Sequence, residues 1–207
     1  MIIKVNGLRD GENIRQATGM GVDWIGMIFQ KESPYNIDMI STHAGIIPDK
    51  APNAPCELKE AKRVGIFLDE MGQNIITRVV KFNLDIIQLN GNETPTFIRN
   101  LRATIDPDLH AGISIMKTIS ISNEADIARY HEYEDAVDYF LFDITGASNS
   151  EDPFDWHLLD SYDGQKPYLV SGAFTTADIT KTAHFIENNE GESHSGKCIG
   201  IDFNTYL

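Results

Sequence analysis

The sequence predicts an α/β fold, a parallel (βα)8 TIM barrel spanning 1–207 as a single domain with its final helix missing. Three observations predict it. Short apolar segments recur eight times, with helical patterns between them at fairly even spacing. Some of these segments are apolar almost throughout, as strands buried on both faces of a parallel sheet are. No Gly-x-Gly-x-x-Gly follows a strand, so an open dinucleotide-binding sheet lacks its usual signature. Eight strand–helix units in a chain of this length favour closure into a barrel.

The elements follow in order. Ile2–Asn6 is a short apolar strand, and a helix near 10–19 follows, with Asp10 or Gly11 able to cap it. Trp24–Phe29 is a second, nearly all-apolar strand, followed by a helix near 37–47 and a Pro-rich loop from Pro48 to Pro55. Arg63–Leu68 is the third strand. Its helix, Gln73–Phe82, carries Ile75, Ile76, Val79 and Val80 as one apolar stripe. Leu84–Leu89 is the fourth, with a helix from about Thr94 to Ala103. Ser114–Ile119 is the fifth, with a helix at Asn123–Tyr133. Val137–Phe142 is the sixth, and Phe154–Leu159 makes only a short helical turn. Pro167–Val170 is the seventh, with a helix at Thr176–Glu187 and a polar loop over 188–196. Cys198–Phe203 is the eighth. The sequence stops four residues later, so no helix is expected over the seam between strands eight and one. Strict alternation would put Cys198, Gly200 and Asp202 on one face and Ile199, Ile201 and Phe203 on the other. An apolar seam of that kind favours a homodimer.

Composition narrows the function. With 42% hydrophobic and 23% charged residues the chain reads as globular. No stretch approaches the roughly 18 apolar residues of a membrane helix, and the N-terminus lacks a basic-then-apolar leader. Cys56 and Cys198 are too few for a disulfide framework, which suggests a cytoplasmic protein. A net charge of −14 argues against nucleic acid and anionic membranes. The six histidines show no ligand spacing, so no metal site is expected.

In such barrels chemistry sits at the C-terminal ends of the strands. Those ends are Asn6, the loop after Phe29, Asp69, Gln88 to Asn90, Lys117, Asp143, Ser171-Gly172 and Asp202-Phe203-Asn204. Lys4 and Lys117 lie on strands pointing toward the mouth, where pairing with Asp143 or another acid is expected.

Lys4-Val5-Asn6-Gly7, Gln88-Leu89-Asn90-Gly91-Asn92-Glu93, Leu141-Phe142-Asp143, Leu169 to Gly172 and Gly200-Ile201-Asp202 follow one another in order over about 200 residues. Together they resemble the phosphoribosylanthranilate isomerases, aldose–ketose isomerases of tryptophan biosynthesis. The resemblance implies an Amadori rearrangement of a ribosyl phosphate carrying anthranilate, with no metal and no organic cofactor. It implies a general acid that opens the ribose ring, at Asp143, and a general base that takes the C2 proton. That base is a cysteine in the family's Lys-x-Cys-Gly; here that position is occupied by Asn6.

Other positions depart too. The family's Ser-Pro-Arg becomes Ser33-Pro34-Tyr35, its Gln-Leu-His-Gly becomes Gln88-Leu89-Asn90-Gly91, and its glycine loop after the acid becomes Gly146 to Asp152. Its Gly-Gly after strand seven is Gly172-Ala173, and its Ser-Gly-x-Glu after strand eight is Thr205-Tyr206-Leu207. The expected substrate and phosphate contacts are Ser171, Gly172, Asp202, Asn204, Gln88 and Tyr35. A carboxamide cannot accept a proton near neutral pH. Turnover is therefore expected to be weak or lost, unless a carboxylate such as Asp202 substitutes. The alternative is a non-catalytic or repurposed paralogue that binds a sugar phosphate or an aromatic acid.

Overall fold

Strands Ile2–Asn6 (β1), Trp24–Ile28 (β2), Lys62–Phe67 (β3), Ile86–Leu89 (β4), Ser114–Ser120 (β5), Tyr139–Asp143 (β6), Tyr168–Gly172 (β7) and Cys198–Phe203 (β8) pair in parallel. They close in chain order, with β8 bonded back to β1 through Ile2↔Gly200 to Val5↔Phe203. This computed structural model describes residues 1–9, 11–37, 61–144, 156–172, 183 and 198–203. The expected helix near 37–47, the Pro48–Pro55 loop, nearly all of the helix at 176–187, the loop at 188–196 and whatever follows Phe203 lie outside those residues.

The described helices are Gly11–Gly19 (α1), Gly72–Phe82 (α2), Pro95–Ile105 (α3), Glu124–Ile127 (α4) and Tyr130–Tyr133 (α5), with a 3-10 turn at Trp156–Ser161. Thr94 caps α3, its side chain accepting from Phe97 N, and Pro95 sits where no N–H is needed. In α2 the buried arc is Ile75, Arg78, Val79 and Phe82, at helical spacing. Val80, expected in the apolar stripe, is 57% exposed, because it lies one step round the helix from that arc. The single helix expected over Asn123–Tyr133 is two short ones. Asn123 and Asp126 form a capping box around α4. Beyond it, Arg129, His131 and Glu132 each bond three residues back, a tighter winding that interrupts the α-helix.

Two apolar layers result. Inside the barrel, Trp24, Ile28, Val64, Ile66, Ile86, Met116, Leu141 and Leu169 pack together. Outside it, residues such as Phe67, Ile87, Ile119, Phe140 and Phe142 meet Ile75, Val79, Ile98, Leu101 and Tyr130 from the helices. Strand β8 departs from the expected strict alternation. Its pairing with β7 slips between Tyr168↔Cys198 and Leu169↔Gly200, leaving Ile199 as an extra residue. Cys198 and Ile201 consequently join the outer layer while Ile199 packs on the inner one. Ile201 is fully buried rather than part of an open seam. Gly200 belongs at the closure because a Cβ there would overlap the carbonyl of Ile2.

Candidate active site

The alternation that builds the inner layer carries on to the C-terminal ends of the strands, where the inward residues turn polar. Above Ile86 comes Gln88, above Met116 comes Thr118, above Leu141 comes Asp143, and above Leu169 comes Ser171. With Asn6, Asn90 and Asp202 these residues line a small cavity of about 40 Å³, floored by Ile28, Ile66 and Leu141. Register places Asp143 beside Ser171, and Ser171 beside Asp202.

Asn6 is held on every side. Its Oδ1 accepts from Lys4 Nζ at 2.5 Å, and its Nδ2 donates to Asp202 Oδ1 at 2.9 Å and Oδ2 at 3.0 Å. Lys4 also reaches Asp202 Oδ1 at 2.8 Å, and both charged side chains are essentially inaccessible to water. Gly26 makes room for this network, because a Cβ there would collide with Asn6 Oδ1. Burial pulls the Lys4 ammonium below its ordinary 10.5, while the Asp202 carboxylate opposes that shift.

On the far side of the mouth, Asn90 Oδ1 accepts from Gln88 Nε2 at 2.9 Å and from Thr118 Oγ1 at 2.7 Å. Gln88 Oε1 is buried and has no partner among the described residues. An acceptor left this way inside a cavity suits a ligand hydroxyl.

A second buried ion pair lies just outside the barrel wall. Lys117 donates to Glu93 Oε2 at 3.1 Å and to the carbonyls of Leu89 and Gly91 at 3.2 and 2.5 Å. Its ammonium lies 5.6 Å from the Tyr133 ring centroid. Glu93 Oε1 in turn accepts from Asp69 N, and Asp69 Oδ1 from Asn92 N. The network ties the loops after β3 and β4. Lys117 therefore points outward, against expectation, since Met116 and Thr118 take the inward positions on β5.

Of the residues expected at the site, Asn6, Gln88, Asp143, Ser171 and Asp202 converge on the cavity. Gly172 is the last, buried residue of β7, and Ser171 also lies within that strand rather than in the loop after it. Tyr35 packs against the inner cluster, beneath the Arg9 guanidinium 5.8 Å above its ring, without lining the cavity. Asn204 and the loop 146–152 lie outside the described residues. Thr118 was not singled out from the sequence, although the same alternation that selects Gln88 on β4 selects it on β5. The Lys4–Asp202 contact joins residues 198 positions apart and has no local signature. Among the described residues no cluster of His, Cys, Asp and Glu could hold a metal ion, and no helix is long and apolar enough to cross a membrane.

Comparison with known proteins agrees with the architecture. Residues 3–205 match the model of the family described as N-(5'phosphoribosyl)anthranilate (PRA) isomerase. An N-(5'-phosphoribosyl)anthranilate isomerase of Phocaeicola vulgatus is 35% identical over 187 residues, covering 89% of this chain and 82% of the relative. Among solved structures, a phosphoribosyl anthranilate isomerase in complex with reduced 1-(o-carboxyphenylamino)-1-deoxyribulose 5-phosphate superposes with a TM-score of 0.67. It is 21% identical, covering 99% of this chain and 88% of that one. A structure of monomers generated from the dimeric isomerase of Thermotoga maritima gives 0.66 at 20% identity, covering 98% and 87%. The fold, the match along almost the whole chain and the identity to curated isomerases together show that this chain belongs to the phosphoribosylanthranilate isomerase family of tryptophan biosynthesis.

Proposed function

We propose that this chain binds N-(5'-phosphoribosyl)anthranilate and isomerises it slowly to the 1-deoxyribulose form. The observation that carries the reading is the cavity. It presents Asp143 and Asp202 together with neutral hydrogen-bonding groups at the mouth of an isomerase-family barrel, while the position of the family's base holds a carboxamide. Asp143 is the general acid that protonates the ring oxygen. Gln88 Oε1, lacking a partner among the described residues, accepts from a sugar hydroxyl. The backbone at Ser171 and Gly172 approaches the phosphate, and Tyr35 offers its ring near the anthranilate. Asn204, next in sequence after β8, is the remaining substrate contact in this reading.

A second reading has its own observation. Asn6 is committed to Lys4 and Asp202 through both ends of its carboxamide, so the site could bind the ligand without turning it over. We place the protein in the cytoplasm as one barrel domain, and expect a homodimer, as with the dimeric isomerase it resembles in fold. Sedimentation of a monomer at micromolar concentration would remove the dimer.

Complementation separates the two functional readings. Expression in a tryptophan auxotroph lacking the isomerase should give slow growth without tryptophan if turnover is weak. Failure to grow despite soluble expression, with the reduced product analogue still bound in vitro, would favour the binding protein.

A further inference from the structure

We propose that Asp202 is the proton-abstracting base of this site, with Asn6 and Lys4 as its positioning residues. The proposal rests on the isomerase reading above. It follows from an inventory of the cavity wall. Among the described residues that line it, Asn6, Gln88, Asn90, Thr118 and Ser171 are neutral and poor bases, so the groups able to take a proton from carbon near neutral pH are Asp143 and Asp202. One carboxyl group must act as acid on the ring oxygen. The other remains.

Its surroundings suit the task. Asp202 Oδ1 is held by Lys4 Nζ at 2.8 Å and Asn6 Nδ2 at 2.9 Å, which fixes the carboxylate's position. Among the described residues Oδ2 receives a single, longer contact, from the same Nδ2 at 3.0 Å, which leaves it acceptor capacity. Lys4 does not line the cavity and donates to both neighbours, so its nitrogen is not offered to a ligand. Asn6 thus serves as a bracket for the residue that takes over the role of the family's cysteine.

The step balances without an external reactant. The Asp143 carboxyl gives its proton to the ring oxygen, the C1–O bond breaks, and the nitrogen lone pair forms C1=N. Asp202 takes the C2 proton, the C–H electron pair becomes C1=C2, and the C=N π pair returns to nitrogen. The enol hydroxyl then returns a proton to Asp143 as C1 is protonated by Asp202, leaving the ketone. Among the described residues the charged groups facing Asp202 are Lys4 from β1 and, across the cavity, Asp143 from β6; its β7 neighbour, Ser171, does not titrate in this range.

The test compares wild type, Asp202→Asn, Asp202→Glu, Lys4→Met and the double variant Asn6→Cys/Asp202→Asn. Each is assayed for kcat/KM on phosphoribosylanthranilate and for binding of reduced 1-(o-carboxyphenylamino)-1-deoxyribulose 5-phosphate. The expected result is a loss of about 10²-fold or more in Asp202→Asn with analogue binding kept, partial activity in Asp202→Glu, and recovery of at least about tenfold when the cysteine is added. Lys4→Met should move the acid limb of the pH–rate profile upward, because removing a neighbouring cation raises a carboxyl's proton affinity. An Asp202→Asn variant as fast as wild type overturns the proposal, as does a wild type that binds the analogue and never turns over. If wild type fails even to bind the analogue, the isomerase reading falls and this proposal with it.

Discussion

The amide nitrogen of Asn6 stands 2.9 and 3.0 Å from the two carboxylate oxygens of Asp202, and Lys4 closes the triangle from below. None of the three could be exchanged without disturbing the other two. The ion pair is buried at 0% and 1% side-chain exposure, where an unpaired charge has no solvent to turn to.

Replacing Lys4 by Met should therefore cost roughly 3–5 kcal/mol, the usual penalty for removing one partner of a buried pair. Urea unfolding monitored by circular dichroism measures it. A loss below about 1 kcal/mol, the range of exposed pairs, would mean that water reaches this pair.

Gly26→Ala should destabilise by about 1–3 kcal/mol, as overpacking does. The new Cβ would collide with Asn6 Oδ1, and with Ile66 Cδ1, a flexible end that can move. Shortening the obstacle in Asn6→Ala should recover part of that loss in a double-mutant cycle. Simple additivity would place the strain elsewhere.

Asn6→Cys should raise turnover, by about tenfold on the scale of a positioned proton transfer, yet leave it below that of a family member whose first strand reads Lys-x-Cys-Gly. A thiol can give up its proton where a carboxamide cannot, but the arginine replaced by Tyr35 and part of the phosphate loop sequence remain changed. Full recovery from this one substitution would show that those other departures are silent.

Much of the candidate site's convergence is legible in the sequence. Asn6, Gln88, Asp143, Ser171 and Asp202 were marked by strand-end position, and a period-two pattern brings all five to one cavity. The outward turn of Lys117 was not readable that way, because a lysine in an apolar strand does not disclose which layer holds its carboxylate. Glu93, four residues past the end of β4, decided it. Nor did the sequence of β8 announce the bulge that turns Ile199 inward, since the extra residue appears only on pairing with β7. The split between α4 and α5 has no such cue, since the Asn123–Asp126 capping box marks where α4 starts and not where it breaks.

Stability should fall on the alkaline side through Cys198, whose thiol burial pushes up to about 12 from 9.0. The folded protein holds this proton more tightly than the unfolded chain does. Its contribution is thus complete below pH 9 and lost between 9 and 12, at up to about 1.4 kcal/mol per pH unit. Lys4 and Lys117, both lowered by burial, act in the opposite sense as pH rises toward 10.5. Comparing wild type with Cys198→Val isolates the thiol. The variant's stability should fall less steeply over that window, and equal slopes would contradict the assignment.

Slow but genuine isomerisation is expected at a site without the family's cysteine. Steady-state consumption of phosphoribosylanthranilate by the purified protein, beside a family member with Lys-x-Cys-Gly, tests it most directly. The expected result is a measurable rate lower by about 10²–10⁴-fold. Equal rates would contradict it, and so would no detectable turnover at saturating substrate.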